Sequence, residues 1–280
     1  MLNLKGIAVD AISIGGLETC IQLPGFDLAF DIGRCPGSSV HRNTVLFTHA
    51  HIDHMGGITW HSATRSLMNL TPPTYLVPTE NVEAIEALFA AARRLDHSEL
   101  PHSLVPVGPG DEHRLACGLV ARPFRSVHVV PCQGYALWQQ KKKLKPEYSG
   151  LSGPEIRDLR VVRGVEVTDT VEEPVVAFCG DTRIEVLQRE SVVREARVLI
   201  LECTFIDDRV SVEKCRERGH VHLDEIVKHA DLFENEAILL THFSARYQAD
   251  EIQKALDEKL PPSLRDRVTP LLNGHGGVDG

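Results

Sequence analysis

Short apolar runs bounded by turn residues dominate the first third of the chain: GIAVDAISI, ETCIQL and LAFDI, the last two joined by Pro24 and Gly25. TVLFT is a continuous apolar run that predicts a buried strand, and it leads directly into HAHIDH. A helix is expected over 53–69, and PTYLVP predicts a further strand. TENVEAIEALFAAARRL has the helical period, with Thr79 placed as its N-cap. Further short strands are expected around 104–107, 112–115, 119–123 and 133–138. Beyond 164, the runs EPVVAFCG, RVLILE and AILLTHF predict strands that alternate with helices near 223–233 and 250–258. Many short strands followed by strand–helix alternation implies an α/β fold of two packed sheets with helices outside.

Between these two parts the period breaks. Over 138–164 the segment WQQKKKLKPEYSGLSGPEIRDLRVVRG carries Lys141, Lys142, Lys143, Lys145, Arg157, Arg160 and Arg163 against Glu147, Glu155 and Asp158. Seven minus three leaves +4, on a chain whose formal net charge is −9. It reads as an insertion into a single domain spanning 1–280. The overall acidity argues against a general nucleic-acid coat protein and leaves room for a local basic patch.

At 280 residues and 42% hydrophobic, the chain can bury a sizeable core. No apolar run approaches the roughly 20 residues of a membrane span, and the start MLNLKGIAVD lacks the basic and apolar regions of a secretory signal. Seven scattered cysteines, an odd number with no CxxC pair, predict reduced thiols and a cytoplasmic protein.

The fourteen histidines change the picture most, because neutral imidazole is the commonest transition-metal ligand among side chains. In HAHIDH, residues two apart in an extended backbone point the same way, so His49 and His51 can share one ion. Asp53 and His54, turning into the following helix, can face a second, and Gly56 and Gly57 let the backbone stay close. A surface loop rich in histidine by chance is the bland alternative; the HxHxDH spacing after a buried strand argues against it. One loop cannot complete two coordination shells, so more ligands are required at other strand ends. His128 in FRSVHVV, Asp181 in VVAFCGDTR and His242 in AILLTHFSARY stand in such places. His41, His61, His97, His102, His113, His229 and His275 lack that context and are expected to be surface or packing residues.

These motifs resemble the metallo-β-lactamase superfamily, and within it the tRNase Z family of tRNA 3′-end endonucleases in its compact form. THAHIDHMGG, GDT at 180–182, LTHFSARY at 240–247, SIGGLETC, FDIGRCP and GLSGPEI carry the resemblance over nearly the whole length. The resemblance implies an αββα sandwich with a short protruding basic arm. It also implies two zinc ions per subunit, with manganese or cobalt as substitutes. His49, His51 and His128 would hold one ion, Asp53, His54 and His242 the other, and Asp181 would bridge them. It further implies a Glu202–His220 pair in which the histidine gives a proton to the departing 3′-oxygen. On chemical grounds Asp53 is expected to serve twice, as ligand and as the acceptor that orients the attacking water. His222, two residues on, could be mistaken for His220. The implied partners are precursor tRNA, gripped by the arm through Lys141, Lys142, Lys143 and Lys145, and a second copy of the chain in a homodimer. Ser244 and Arg246 are candidates for binding phosphate, and DIGRCPGSS at 31–39 for the rim of the substrate cleft. Hydrolysis of cyclic nucleotides or other small esters on the same fold is the alternative, and a catalytically idle RNA-binding scaffold is the second.

Overall fold

The computed structural model, which describes residues 1–276, places two mixed sheets face to face with helices on both outer surfaces. The first sheet runs in chain order through β1 (Leu2–Leu4), β2 (Ile7–Gly15), β3 (Glu18–Leu23), β4 (Leu28–Phe30), β5 (Thr44–Leu46), β6 (Thr74–Pro78) and β7 (Ser103–Val107). The second comprises β8 (His113–Arg114), β9 (Val120–Arg125), β10 (Gln133–Leu144), β11 (Thr168–Phe178), β12 (Val198–Glu202), β13 (Ala237–Thr241) and β15 (Val268–Pro270). The short β14 (Phe243–Ser244) crosses back to pair with β2, so the segment after His242 ties the two sheets together.

Alternation along the strands sorts side chains between layers. On β12, Val198 and Ile200 join the core between the sheets, with Phe30, Leu76, Tyr135 and Phe178; Leu199 and Leu201 face the outer helices. On β13, Ala237 and Leu239 turn inward and Ile238 and Leu240 outward. Both faces are buried, which is why these parallel strands read as unbroken apolar runs. The outer face of the first sheet is covered by α2 (Ile58–Leu67) and α3 (Val82–Asp96), whose Ile58, Ile85 and Phe89 pack on Phe47, Tyr75 and Val77.

Several expected elements differ in their bounds. The helix over 53–69 is two, α1 (Ile52–Met55) and α2, broken at Gly56 and Gly57. A Cβ on Gly57 would lie 2.4 Å from the Ile32 carbonyl oxygen, so the break lets the loop press onto β4's continuation. Thr79 does not cap α3: it opens a short 3-10 turn, and Asn81 precedes the helix. The strand expected at 112–115 shrinks to His113–Arg114. The helix expected at 223–233 stops at Lys228, and a 3-10 turn follows at Ala230–Leu232.

The segment 138–164 is the distal half of a longer hairpin. β10 continues unbroken through the lysines to Leu144 and pairs with β11 in register from Tyr135↔Phe178 to Leu144↔Thr168, with one shift at Leu137/Trp138. Its tip carries a short helix (Gly153–Arg157), started by a capping box of Ser152 and Glu155 with Pro154 in the first turn, and then one wider turn. The return segment adds Glu166 just before β11 and Asp169, Glu172 and Glu173 on it, so over 133–178 seven positive residues meet seven negative ones.

Candidate active site

Four segments, each following the C-terminal end of a strand, meet at one edge of the sandwich. The loop after β5 brings His49, His51, Asp53 and His54; those after β9, β11 and β13 bring His128, Asp181 and His242. Donor atoms of His49, His51, His128 and Asp181 lie within 4.8 Å of one another, as do those of Asp53, His54 and His242.

The outer hydrogen bonds of the imidazoles decide which nitrogens face inward. Nδ1 of His54 is 2.8 Å from Asp31 Oδ2, and Nδ1 of His128 is 2.9 Å from the Gly219 carbonyl oxygen; both acceptors require N–H at Nδ1. The Thr48 hydroxyl gives its only proton to Asp31 Oδ2 (2.8 Å), so at 3.0 Å it must accept from His49 Nδ1. Thr204 repeats the arrangement, donating to Glu202 Oε2 (2.6 Å) and accepting from His242 Nδ1 (2.9 Å). Four histidines therefore turn Nε2 to the centre, and His51 turns Nδ1.

These nitrogens crowd together. His49 Nε2 is 3.0 Å from His51 Nδ1, His128 Nε2 is 3.4 Å from His51 Nδ1, and His54 Nε2 is 3.4 Å from His242 Nε2. Nitrogens about 2.0–2.1 Å from a tetrahedral zinc would be separated by about 3.3 Å. Asp181 divides its oxygens: Oδ1 lies 3.3 and 3.4 Å from Nε2 of His54 and His242, Oδ2 lies 3.8 Å from Nε2 of both His49 and His128. A convergent set of lone pairs with one carboxylate spanning both halves fits two cations.

Electrostatics agree. Burial holds His49 well below the ordinary imidazole value and lowers His128, which keeps both in the form a metal needs. Burial also pushes on Asp181, but the histidines His242 and His54 outweigh it and hold the carboxyl well below the usual range. Asp53 is likewise lowered: burial opposes this, but His242 and His54 prevail, and the Gly16 N–H donates to its Oδ2 at 2.9 Å. Burial pulls His54 down, yet Asp181 and Asp31 on either side raise it well above its ordinary value. Without a metal, a proton on His54 supplies part of the positive charge these carboxylates demand.

Beside the ligands, Glu202 Oε1 lies 2.8 Å from His220 Nδ1. Burial opposes protonation of His220, but the Glu202 charge and hydrogen bond raise it to about 9. His222 faces away: Nδ1 accepts from the Asp224 N–H as the cap of the helix Leu223–Lys228, and Nε2 donates to the Asp207 carbonyl. His220 is thus the histidine that shares the cleft. Arg246 bonds Ser244 through Nε (3.0 Å) and lies over Phe205, whose ring is 6.3 Å from that of His220, so both residues flank the site. The lysines do not: Lys141, Lys142 and Lys143 sit on β10's distal half and Lys145 just past it, with Lys141 paired to Glu173 and Lys142 to Glu166. Among the described residues, Lys143 and Lys145 have no ion pair.

Asp31 does not belong to the cleft rim. It is fully buried behind the ligands and left-handed at φ 53°, accepting from His54, the Thr48 hydroxyl and the Thr48 N–H. His242, at φ 60°, is the other left-handed residue of the centre. Asp31 was legible by the same strand-end position as Asp181, since LAFD ends β4; Thr48 and Thr204 carry no comparable signal. Of the histidines outside the motif, His61 is buried against Tyr75 and Ser39, and burial lowers it to about 4. His102 stacks on Phe89.

Comparison with known proteins places this geometry. A β-lactamase superfamily domain matches residues 24–243. A tRNase Z of Arabidopsis thaliana is 46% identical over 98% of this chain and 98% of its own length, and a chloroplastic tRNase Z of the same plant is 39% identical over 98% and 77%. Among solved structures, the short form of human tRNase Z aligns with TM-score 0.58 at 18% identity, covering 85% of this chain and 93% of its own. A metallo-β-lactamase fold protein of Bacillus subtilis aligns with TM-score 0.63 at 15% identity, covering 95% and 97%.

Proposed function

Since the chain belongs to the tRNase Z family of the β-lactamase superfamily, we propose that its cleft cuts precursor tRNA. It is an endoribonuclease that removes the 3′ trailer by hydrolysing a phosphodiester, leaving a 3′-hydroxyl on the tRNA and a 5′-phosphate on the trailer. The observation that carries this is the 46% identity sustained over 98% of the chain, joined to a centre in which every strand-end donor converges.

His49, His51, His128 and Asp181 would hold one zinc ion, and Asp53, His54, His242 and Asp181 a second, with manganese or cobalt able to substitute. When bound, such a pair supplies Lewis acidity toward a phosphoryl oxygen and offsets charge on the pentacoordinate phosphorus. The chain's own groups supply the rest. Asp53, partly exposed and with Oδ2 fixed by the Gly16 N–H, orients the attacking water. Glu202 holds His220 through Nδ1 and leaves Nε2 as the proton donor to the departing 3′-oxygen. The Glu202 carboxylate, bonded at Nδ1, favours the protonated form of that imidazole.

Arg246 and Ser244 flank the scissile phosphate, and the hairpin grips tRNA remote from the cut, chiefly through Lys143 and Lys145. Lys141 and Lys142, half neutralised by Glu173 and Glu166, contribute less. A homodimer and a cytoplasmic location complete the proposal; seven cysteines with no disulfide among the described residues support the latter, and no helix of the described residues is long and apolar enough to cross a membrane. The test is cleavage of a precursor tRNA with a 3′ trailer by wild type, Asp53→Ala and His220→Ala. Release of one trailer fragment by wild type is expected, with both variants slower by about 100-fold or more. Wild-type protein loaded with zinc that leaves the precursor intact while hydrolysing small phosphodiesters overturns the assignment.

A further inference from the structure

We propose that Thr204 is a positioning residue that couples the proton-donor pair to the second metal cluster by fixing the tautomer of His242. This rests on the assignment above of His220 as donor and of two cation clusters.

Glu202 is the hub of the arrangement. Its Oε1 accepts from His220 Nδ1 and from the Thr182 N–H (3.0 Å). Its Oε2 accepts from the N–H groups of Thr204 and Val221, both at 3.2 Å, and from the Thr204 hydroxyl at 2.6 Å. A hydroxyl has one proton, and here a carboxylate takes it. The Thr204 oxygen can therefore only accept from His242, which places that ring's proton on Nδ1 and leaves Nε2 bare toward Asp53, His54 and Asp181. One carboxylate thus sets the proton donor directly and a candidate ligand through one hydroxyl.

The opposite side of the centre has the same design. Asp31 holds His54 directly and His49 through Thr48. Asp31 joins one histidine of each cluster, whereas Glu202 joins the second cluster to the donor. Thr204 is 4% exposed, between Glu202 at 1% and His242 at 3%, so no solvent stands ready to replace the hydroxyl.

The backbone around Thr204 is secured independently. Its N–H also bonds the Val221 carbonyl (3.1 Å), and its own carbonyl accepts from the Ser244 N–H (3.0 Å). Thr204→Val keeps that backbone and nearly the same shape while removing the hydroxyl, which frees His242 to carry its proton on Nε2 and oppose a cation there. Thr204→Ser restores the hydroxyl alone.

The experiment measures zinc per chain by elemental analysis, and zinc affinity by chelator competition, for wild type, Thr204→Val and Thr204→Ser, alongside cleavage of precursor tRNA. For Thr204→Val the zinc of the His242 cluster should bind about 10- to 100-fold less tightly while the other is retained. Its kcat on precursor tRNA should fall, with KM little changed because the gripping hairpin is remote. Thr204→Ser should recover both properties to within a few-fold. Two zincs bound by Thr204→Val with wild-type affinity, or a Thr204→Ser variant as impaired as Thr204→Val, overturns the proposal. A wild type that binds zinc and shows these differences in affinity but spares precursor tRNA refutes the substrate assignment and leaves the role of Thr204 standing.

Discussion

At the scale of single residues, the centre consists of polar groups whose cost of burial is met by one another. Glu202 is 1% exposed and accepts five hydrogen bonds, and His220 gains from it what burial takes away. The folded-state value of about 9 lies above the ordinary 6.5, so the stabilisation from His220 is complete below about pH 6.5 and disappears as pH rises through about 9. In metal-free protein, urea unfolding at pH 6 should show His220→Gln less stable than wild type by about 3 kcal/mol, with the gap nearly closed at pH 10. An equal gap at both pH values would show that the pair is not charged. HAHIDH was legible at this scale because its spacing is itself the coordination chemistry. Thr48 and Thr204 were not, since a lone threonine acquires its meaning only from the ring nitrogen it touches.

At the scale of elements, the hairpin shows how pairing changes a charge run. KKKLK read along the chain is strongly basic, but antiparallel register sets Lys141 opposite Val171 and Lys143 opposite Asp169, and Lys141 reaches the neighbouring Glu173. Ion pairs this exposed add little stability, yet they compete with phosphate for the same ammonium groups. Binding of precursor tRNA, followed between about 50 and 200 mM salt, should therefore respond unequally to two double variants. Lys143→Ala with Lys145→Ala should flatten the slope of log affinity against log salt by about 1.4–1.8. Lys141→Ala with Lys142→Ala should flatten it by less than about 1. Equal effects would mean that the acids of the return strand do not attenuate the lysines. The helix boundaries teach a related lesson: one helix is expected from 53 to 69, and the close approach of the Ile32–Cys35 segment to Gly56 and Gly57 explains why the chain breaks there.

At the scale of the whole molecule, the layered sandwich brings strand ends distant in sequence to a single edge, and cations there should stabilise the native state alone. Chelation should lower the melting temperature by about 5–10 °C, the equivalent of roughly 2.7 kcal/mol when metal stands at 100 times its dissociation constant, and zinc should restore it. Because the raised His54 must give up its proton to become a ligand, zinc binding should release protons. Calorimetry in two buffers of different ionisation enthalpy would detect that release, and identical heats would refute it. The amino-acid order by itself determined the apolar strands, the α/β class and the loops that carry the candidate ligands, because strand period and HxHxDH spacing are local properties of a few consecutive residues. Only the tertiary structure decided that His220 rather than His222 meets Glu202, that Asp31 lies behind the clustered histidines and not on the rim, and that the hairpin's basic run meets as many acids. Each of those depends on which side chains stand within about 3 Å across different strands. That proximity is set by packing two sheets against one another, and no spacing along the chain encodes it.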